Sequence, residues 1–113
     1  MIPVVIRPYR DDDFPAVRLL EDSGEHESYR SAVFVRQTSE ICADTFLVAT
    51  LDKEIVGYSV GTCVQQDPCE AWILRLGVRE HQRRNGVGTI LLNELIELLF
   101  SKGVRGVRLT VSP

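Results

Sequence analysis

Val78-Arg79-Glu80-His81-Gln82-Arg83-Arg84-Asn85-Gly86-Val87-Gly88-Thr89 decides how this chain is read. One apolar run ends at Val78, another begins after Gly88, and the loop that joins them is rich in Arg and Gly. A helix that starts here leaves its first N–H groups unpaired. Its summed peptide dipoles put partial positive charge at the same end, so the junction attracts phosphate. Gly86 and Gly88 leave room for close backbone approach and for dihedrals that other residues avoid. Arg83 and Arg84 add charge that persists at any working pH. This chemistry fits a pyrophosphate. A Gly-x-Gly taken alone is more often a turn between solvated arginines. Two nucleotide motifs are excluded. No Gly-Lys-Ser/Thr follows the glycines, so there is no P-loop, and Leu91 stands where the dinucleotide fingerprint needs its third glycine.

On the N-terminal side of the junction, Glu70–Val78 is nearly continuous in apolar residues apart from Arg75, which predicts a strand. On the C-terminal side a helix opens at Gly86 or Thr89 and runs to about Lys102. Thr89, Asn93, Glu97 and Ser101 recur every four positions. Val87, Leu91, Leu95 and Leu98 lie on a wide apolar side, broadened by Ile90, Leu92, Ile96 and Leu99, that must pack on a sheet. Gly103 suits the position after the helix, and Val104–Val111 predicts a last strand, parallel to 70–78 through a right-handed crossover. Residues 3–9 predict a first strand with Pro3 and Pro8 near its ends. Asp11-Asp12-Asp13 opens a helix marked by Phe14, Val17 and Leu20, with Pro15 in its first turn and Gly24 at its end. Tyr29, Val33 and Ile41 mark a second helix within 25–44. Phe46–Leu51 and Ile55–Cys63 flank Asp52-Lys53-Glu54 as an antiparallel hairpin, and Gln65–Cys69 is a turn. The order β, α, α, β, β, β, α, β defines an α/β (α+β) domain, a mixed sheet flanked by helices. A length of 113 residues predicts one domain over 1–113.

The composition, 44% hydrophobic and 26% charged, is that of a globular domain. The net charge of −3 is unevenly spread: residues 1–69 hold 6 Lys/Arg and 12 Asp/Glu, residues 70–113 hold 7 and 4. That asymmetry reads either as an anion site in the C-terminal part and a cation site in the N-terminal part, or as solvated surface. No basic stripe with interleaved aromatics points to nucleic acid. Cys42, Cys63 and Cys69 form no Cys-x-x-Cys pair, and His26 and His81 stand apart, so neither a disulfide framework nor a metal site is expected. Reduced thiols and the lack of a signal peptide predict a cytoplasmic protein. No run reaches the ~18 apolar residues of a membrane span.

With these elements in place, the chain resembles the GNAT-family N-acetyltransferases. Their signature, Gln/Arg-x-x-Gly-x-Gly/Ala, opens the helix after a strand ending Leu-x-Val. Here Leu76-Gly77-Val78 ends the strand and Arg83-Arg84-Asn85-Gly86-Val87-Gly88 supplies the signature. Arg7-Pro8, the acidic start of the first helix and Ile55-Val56-Gly57-Tyr58 also look like the family. The resemblance implies an acetyl-CoA-dependent transfer to an amine acceptor, with no metal. It implies that backbone N–H groups from Arg84 to Thr89 hold the CoA pyrophosphate, with Arg83 beside them. Leu76, Gly77 and Val78 would flank the pantetheine arm, which pairs with the backbone of Leu76 and Val78 like an added strand. The Leu76 N–H would polarise the thioester carbonyl. The Leu76 and Val78 side chains are expected in the core.

The chain departs from the family twice. Many members carry a Glu on the strand before Leu-x-Val to deprotonate the amine, and Trp72 stands there. Glu70, two residues earlier on the same strand face, is the carboxylate that could substitute, or else an exposed residue at a strand start. The family also continues past residue 111 with a helix, often bearing a Tyr general acid, and a final hairpin. The expected fold lacks both, so the chain reads as a C-terminally short domain or as part of a longer one. Glu21, Asp22, Glu25 and Glu27 could attract a cationic acceptor or form a solvated face. An open strand edge at 104–111 predicts a homodimer. The competing function is an acyl-CoA-binding module, or an inactive fragment of a longer acetyltransferase.

Overall fold

Residues alternate between the two faces of a strand, and here both faces are apolar because both are covered. The computed structural model describes residues 3–21, 28–83 and 85–110. Five strands line up in chain order: β1 (Val4–Pro8), β2 (Phe46–Leu51), β3 (Glu54–Cys63), β4 (Glu70–Val78) and β5 (Gly106–Arg108). The first four pair antiparallel, and β5 joins β4 in parallel, as the crossover predicts. The hairpin between β2 and β3 turns on Asp52 and Lys53, both at positive φ (51° and 70°), the backbone that matches strand twist in a two-residue turn.

Three helices cover the sheet: α1 (Phe14–Glu21), α2 (Ser28–Ile41) and α3 (Val87–Ser101). On one face Phe46, Val48, Tyr58 and Val60 meet Val17 of α1 and Val35 of α2. On the other Leu47, Ala49, Val56, Ala71 and Ile73 meet α3. The side of α3 that packs is Val87, Leu91, Leu95 and Leu99, all fully buried. Of the two leucines expected on this side near its end, Leu99 is the fully buried one and Leu98 is half-buried, because the four-residue ladder from Leu91 and Leu95 continues to 99. Each such side chain contributes about 1.5–3 kcal/mol by leaving water.

The acidic helix start works through one residue. Asp13 ends a 3-10 turn (Asp11–Asp13) that leads into α1. Its carboxylate accepts the Arg10 N–H at 2.7 Å and both terminal guanidinium nitrogens of Arg7 at 2.8 Å. β1 is thereby fastened to α1.

The last strand is shorter than the eight residues expected. Only Gly106–Arg108 pairs, and Val111 lies outside the described residues. Val104 is instead buried against α3, its N–H donating to the Leu99 carbonyl. The physical reason lies in β4. Val60 faces Arg75 but Gly61 faces Ile73, so Leu74 is an extra residue, a β-bulge. A bulge bends its strand and increases local twist. Pairing with β5 ends at Trp72–Arg108, just before it.

Candidate functional site

The bulge gives β4 two different ends. From Glu70 to Trp72 it is a paired inner strand. From Ile73 to Val78 it pairs with β3 alone, and the other edge meets no strand among the described residues. The Arg79 N–H donates to the Val56 carbonyl at 2.7 Å, which fixes the alternation of the ladder. Counting back from it, Gly77 and Arg75 turn their backbone groups toward β3, while Val78 and Leu76 turn theirs to the open edge. The Arg83 Nε donates to the Val78 carbonyl at 3.2 Å, on that edge. The two residues expected to pair with an extended ligand thus present free N–H groups.

Gly86 caps α3 at φ 81°, a backbone that L side chains avoid, and nothing lies within 4 Å of where a Cβ would stand. The Ile90 N–H donates to the Gly86 carbonyl, which is the first bond of the helix. The N–H groups of Gly86, Val87, Gly88 and Thr89 therefore precede the intrahelical ladder and mark the positive end of the helix. A methyl at Gly88 would meet Leu76 and Val78 side chains at 3.6 Å, an ordinary contact, so that position tolerates Ala. Asn85 donates from its side chain to Gln82 at 2.8 Å, bracing the loop. Arg84 lies outside the described residues.

The open edge and the helix start enclose a cleft of about 350 Å³, walled by Ile73, Leu76, Leu92 and Leu109, with Arg83, Gly86, Gly88 and Thr89 at one end. Leu76 is therefore not a core residue as expected. It is 39% exposed, and half-buried Val78 lies beside it. The bulge at Leu74 is what turns Leu76 toward α3 and the cleft. An apolar channel ending in N–H groups that have no partner among the described residues, beside a guanidinium, fits the pantetheine and pyrophosphate of CoA.

Glu70 stands at the end of β4 that pairs with β5. Its carboxylate pairs with Arg108 at 3.2 Å, and Arg108 lies over the Trp72 ring at 6.0 Å. All three occupy the last paired stretch before the bulge. A different cluster stands over the open end. The Tyr58 hydroxyl donates to the Glu21 carboxylate, and Arg75 Nε lies 3.3 Å from the same carboxylate, with its guanidinium over the Phe34 ring at 5.0 Å. Gly77 makes this possible, because a Cβ there would stand 2.5 Å from Cε1 of Tyr58. Sequence reading assigned no role to Tyr58 or Arg75. The available signal was Arg75 itself, one charge inside an otherwise apolar stretch. Asp22, Glu25 and Glu27 lie outside the described residues. Among the described residues no His, Cys, Asp and Glu cluster could hold a metal, and no helix is long and apolar enough to cross a membrane.

A bulged fourth strand, an open edge and a glycine-capped helix make the fold of an acetyltransferase-family domain. The profile of the Acetyltransferase (GNAT) family matches residues 6–113, and the chain belongs to that family. Over 70 residues it is 36% identical to L-2,4-diaminobutyric acid acetyltransferase of Shouchella clausii, a stretch that is 62% of this chain and 39% of that protein. The chain thus spans about two fifths of that curated relative. Ard1 from Thermoplasma volcanium shares the fold with a TM-score of 0.78 at 29% identity, over 94% of this chain and 70% of that one. Diaminobutyrate acetyltransferase EctA from Paenibacillus lautus, solved with L-2,4-diaminobutyric acid and coenzyme A, gives a TM-score of 0.81 at 23% identity, over 100% and 68% of the two chains, a likeness of fold.

Proposed function

We propose that this domain transfers an acetyl group from acetyl-CoA to a primary amine. The observation that carries the reading is the pairing of a free β4 edge at Leu76 and Val78 with a helix start whose Gly86–Thr89 N–H groups are unbonded within the helix. The pyrophosphate would sit on those N–H groups with Arg83 alongside, and the pantetheine arm would run along the edge as an extra strand. The Leu76 N–H would then stabilise the oxyanion that forms as the amine attacks, a contribution that needs no ionisable side chain. The acceptor to try first is L-2,4-diaminobutyric acid, the substrate named for the Shouchella relative. We place the reaction in the cytoplasm, in keeping with three free thiols, and assign self-association to the short β5 edge beside exposed Leu109.

A second reading, a module that holds acyl-CoA without transferring the acyl group, is favoured by Trp72 at the family's Glu position and by the ion pair that occupies Glu70. Calorimetry and a thiol-release assay separate the two. Wild type should bind CoA in both cases, and thiol release on adding the diamino acid occurs only in the first. Gly86→Glu should lower CoA affinity about 100-fold or more, since juxtaposed like charges cost several kcal/mol. Gly88→Ala should leave it nearly unchanged. Well-folded wild type that binds no CoA would remove both readings.

A further inference from the structure

We propose that Arg75 binds the carboxylate of the acceptor, which makes the acceptor an amino acid and not a plain polyamine. The inference rests on the acetyltransferase reading of the open β4 edge. Its ground is one charge inside an apolar strand, and where that charge is held. Arg75 immediately precedes Leu76, whose N–H faces the acyl position in that reading. It pairs with Val60 of the core under α1 and α2, so its side chain rises on that face. There the guanidinium lies over the Phe34 ring of α2 at 5.0 Å, and Nε stands 3.3 Å from the Glu21 carboxylate of α1. Both helices thus hold it above the stretch of β4 where an amine must arrive. Arg83, the cationic side chain of the CoA cleft, lies at the far end of the edge, bonded to the Val78 carbonyl.

What sets Arg75 apart is the donor capacity it leaves unspent. Arg7 gives both terminal nitrogens to Asp13, and Arg79 gives its two to Glu54 and to the Ile55 carbonyl. Arg75 meets Glu21 through Nε, and its terminal nitrogens make no hydrogen bond among the described residues. A guanidinium presents those nitrogens as a planar fork that matches a carboxylate in two parallel N–H···O bonds. Phe34 occupies the face of the guanidinium and leaves the fork edge open. The pairing with Glu21 does not cancel this capacity. Glu21 also accepts the Tyr58 hydroxyl, and the Arg75 side chain is 55% exposed, where water weakens an ion pair. Nothing more is asked of Glu21 than to fix the direction of Nε. In a small amino acid the amine stands only a few bonds from the carboxylate. Anchoring the carboxylate on Arg75 therefore leaves the nitrogen within reach of the acyl carbonyl beside Leu76. A polyamine finds no partner at the fork and meets like charge there.

Calorimetric titration into the CoA-loaded chain compares L-2,4-diaminobutyric acid with 1,3-diaminopropane, the same diamine without the carboxylate. Wild type should bind the amino acid about tenfold or more tightly than the diamine, the worth of hydrogen bonds between charged groups. Arg75→Gln should erase that preference by weakening the amino acid alone, with CoA affinity within about twofold of wild type. Arg75→Lys keeps the charge without the fork and should retain part of the preference. Glu21→Gln keeps an oxygen for Nε and removes the counter-charge, so the preference should hold or grow. If Arg75 only fastened α1 to the sheet through Glu21, Arg75→Gln and Glu21→Gln would act alike, lowering the melting temperature and leaving the ratio of the two affinities as in wild type. That ratio unchanged in folded Arg75→Gln overturns the proposal. So does a CoA-loaded wild type that binds the diamine as tightly as the amino acid, or binds neither. Failure to bind CoA at all would instead remove the reading on which the proposal stands, and the proposal with it.

Discussion

The two faces of the sheet are built in different ways. The α3 face is an apolar ladder: Val87, Leu91, Leu95 and Leu99 repeat every four residues and drop onto alternating strand positions. The face under α1 and α2 also has an apolar floor, but its upper layer is polar, joined both locally and across long stretches of chain. Arg7 meets Asp13, Tyr58 meets Glu21, and Arg75 meets both Glu21 and Phe34. The first face gives the domain its stability. The second holds charged and polar groups beside the open edge of β4.

If that division holds, the largest loss of stability should come from the α3 face. Leu95→Ala leaves a cavity where a fully buried leucine stood and should cost about 2–5 kcal/mol, read from the urea midpoint. CoA affinity of the folded fraction should change little, because Leu95 stands about two and a half turns from Gly86. An affinity that fell in step with stability would erase the comparison.

The polar face should respond to pH where the α3 face does not. Burial raises the pKa of Asp13, but the hydrogen bond from Arg7, the Arg10 N–H and the nearby positive charges outweigh it and hold the carboxyl below its usual range. A pKa lower in the folded than in the unfolded state adds stability above the unfolded value, and that stability is lost as pH falls through the folded value. Asp13→Asn should therefore cost about 1–3 kcal/mol at neutral pH, the worth of hydrogen bonds to a charged group. Its deficit should shrink as pH falls below the usual carboxylate range and through the lowered folded-state pKa. A deficit that stayed constant with pH would assign the loss to packing.

The same contrast explains what could be read from the sequence. The element order, the parallel final pairing, the span of β4 and the opening of α3 were legible because each follows from local periodicity or from a glycine at a fixed offset. The helix-start residues were legible for the same reason. Three features were not. The length of β5 depends on the bulge at Leu74, and nothing in Trp-Ile-Leu-Arg-Leu marks which residue is extra. The orientation of Leu76 reverses with that bulge. The meeting of Glu21, Tyr58 and Arg75 depends on folding α1 over β3 and β4, across separations of 37 residues and more. Patterns of period 2 or 3.6 report which side of an element is buried, not which polar residues meet there.

The smallest expected effect lies inside the apolar face and has the opposite sign. Ser59 sits on β3 between Gly57 and Gly61, both of which face α3. It is fully buried, and its Oγ has no hydrogen-bond partner among the described residues. The hydroxyl has given up water and gained nothing in return. An unsatisfied buried polar group costs about 1–3 kcal/mol, and removing it recovers part of that. The loss of a few dispersion contacts offsets some of the gain. Ser59→Ala should therefore raise stability by about 1 kcal/mol at most. A three-way comparison with Leu95→Ala and Asp13→Asn in one urea series would show it as the single variant with a higher midpoint. A lower midpoint for Ser59→Ala would mean that the hydroxyl is satisfied, and the α3 face would then be less purely apolar than its leucine ladder implies.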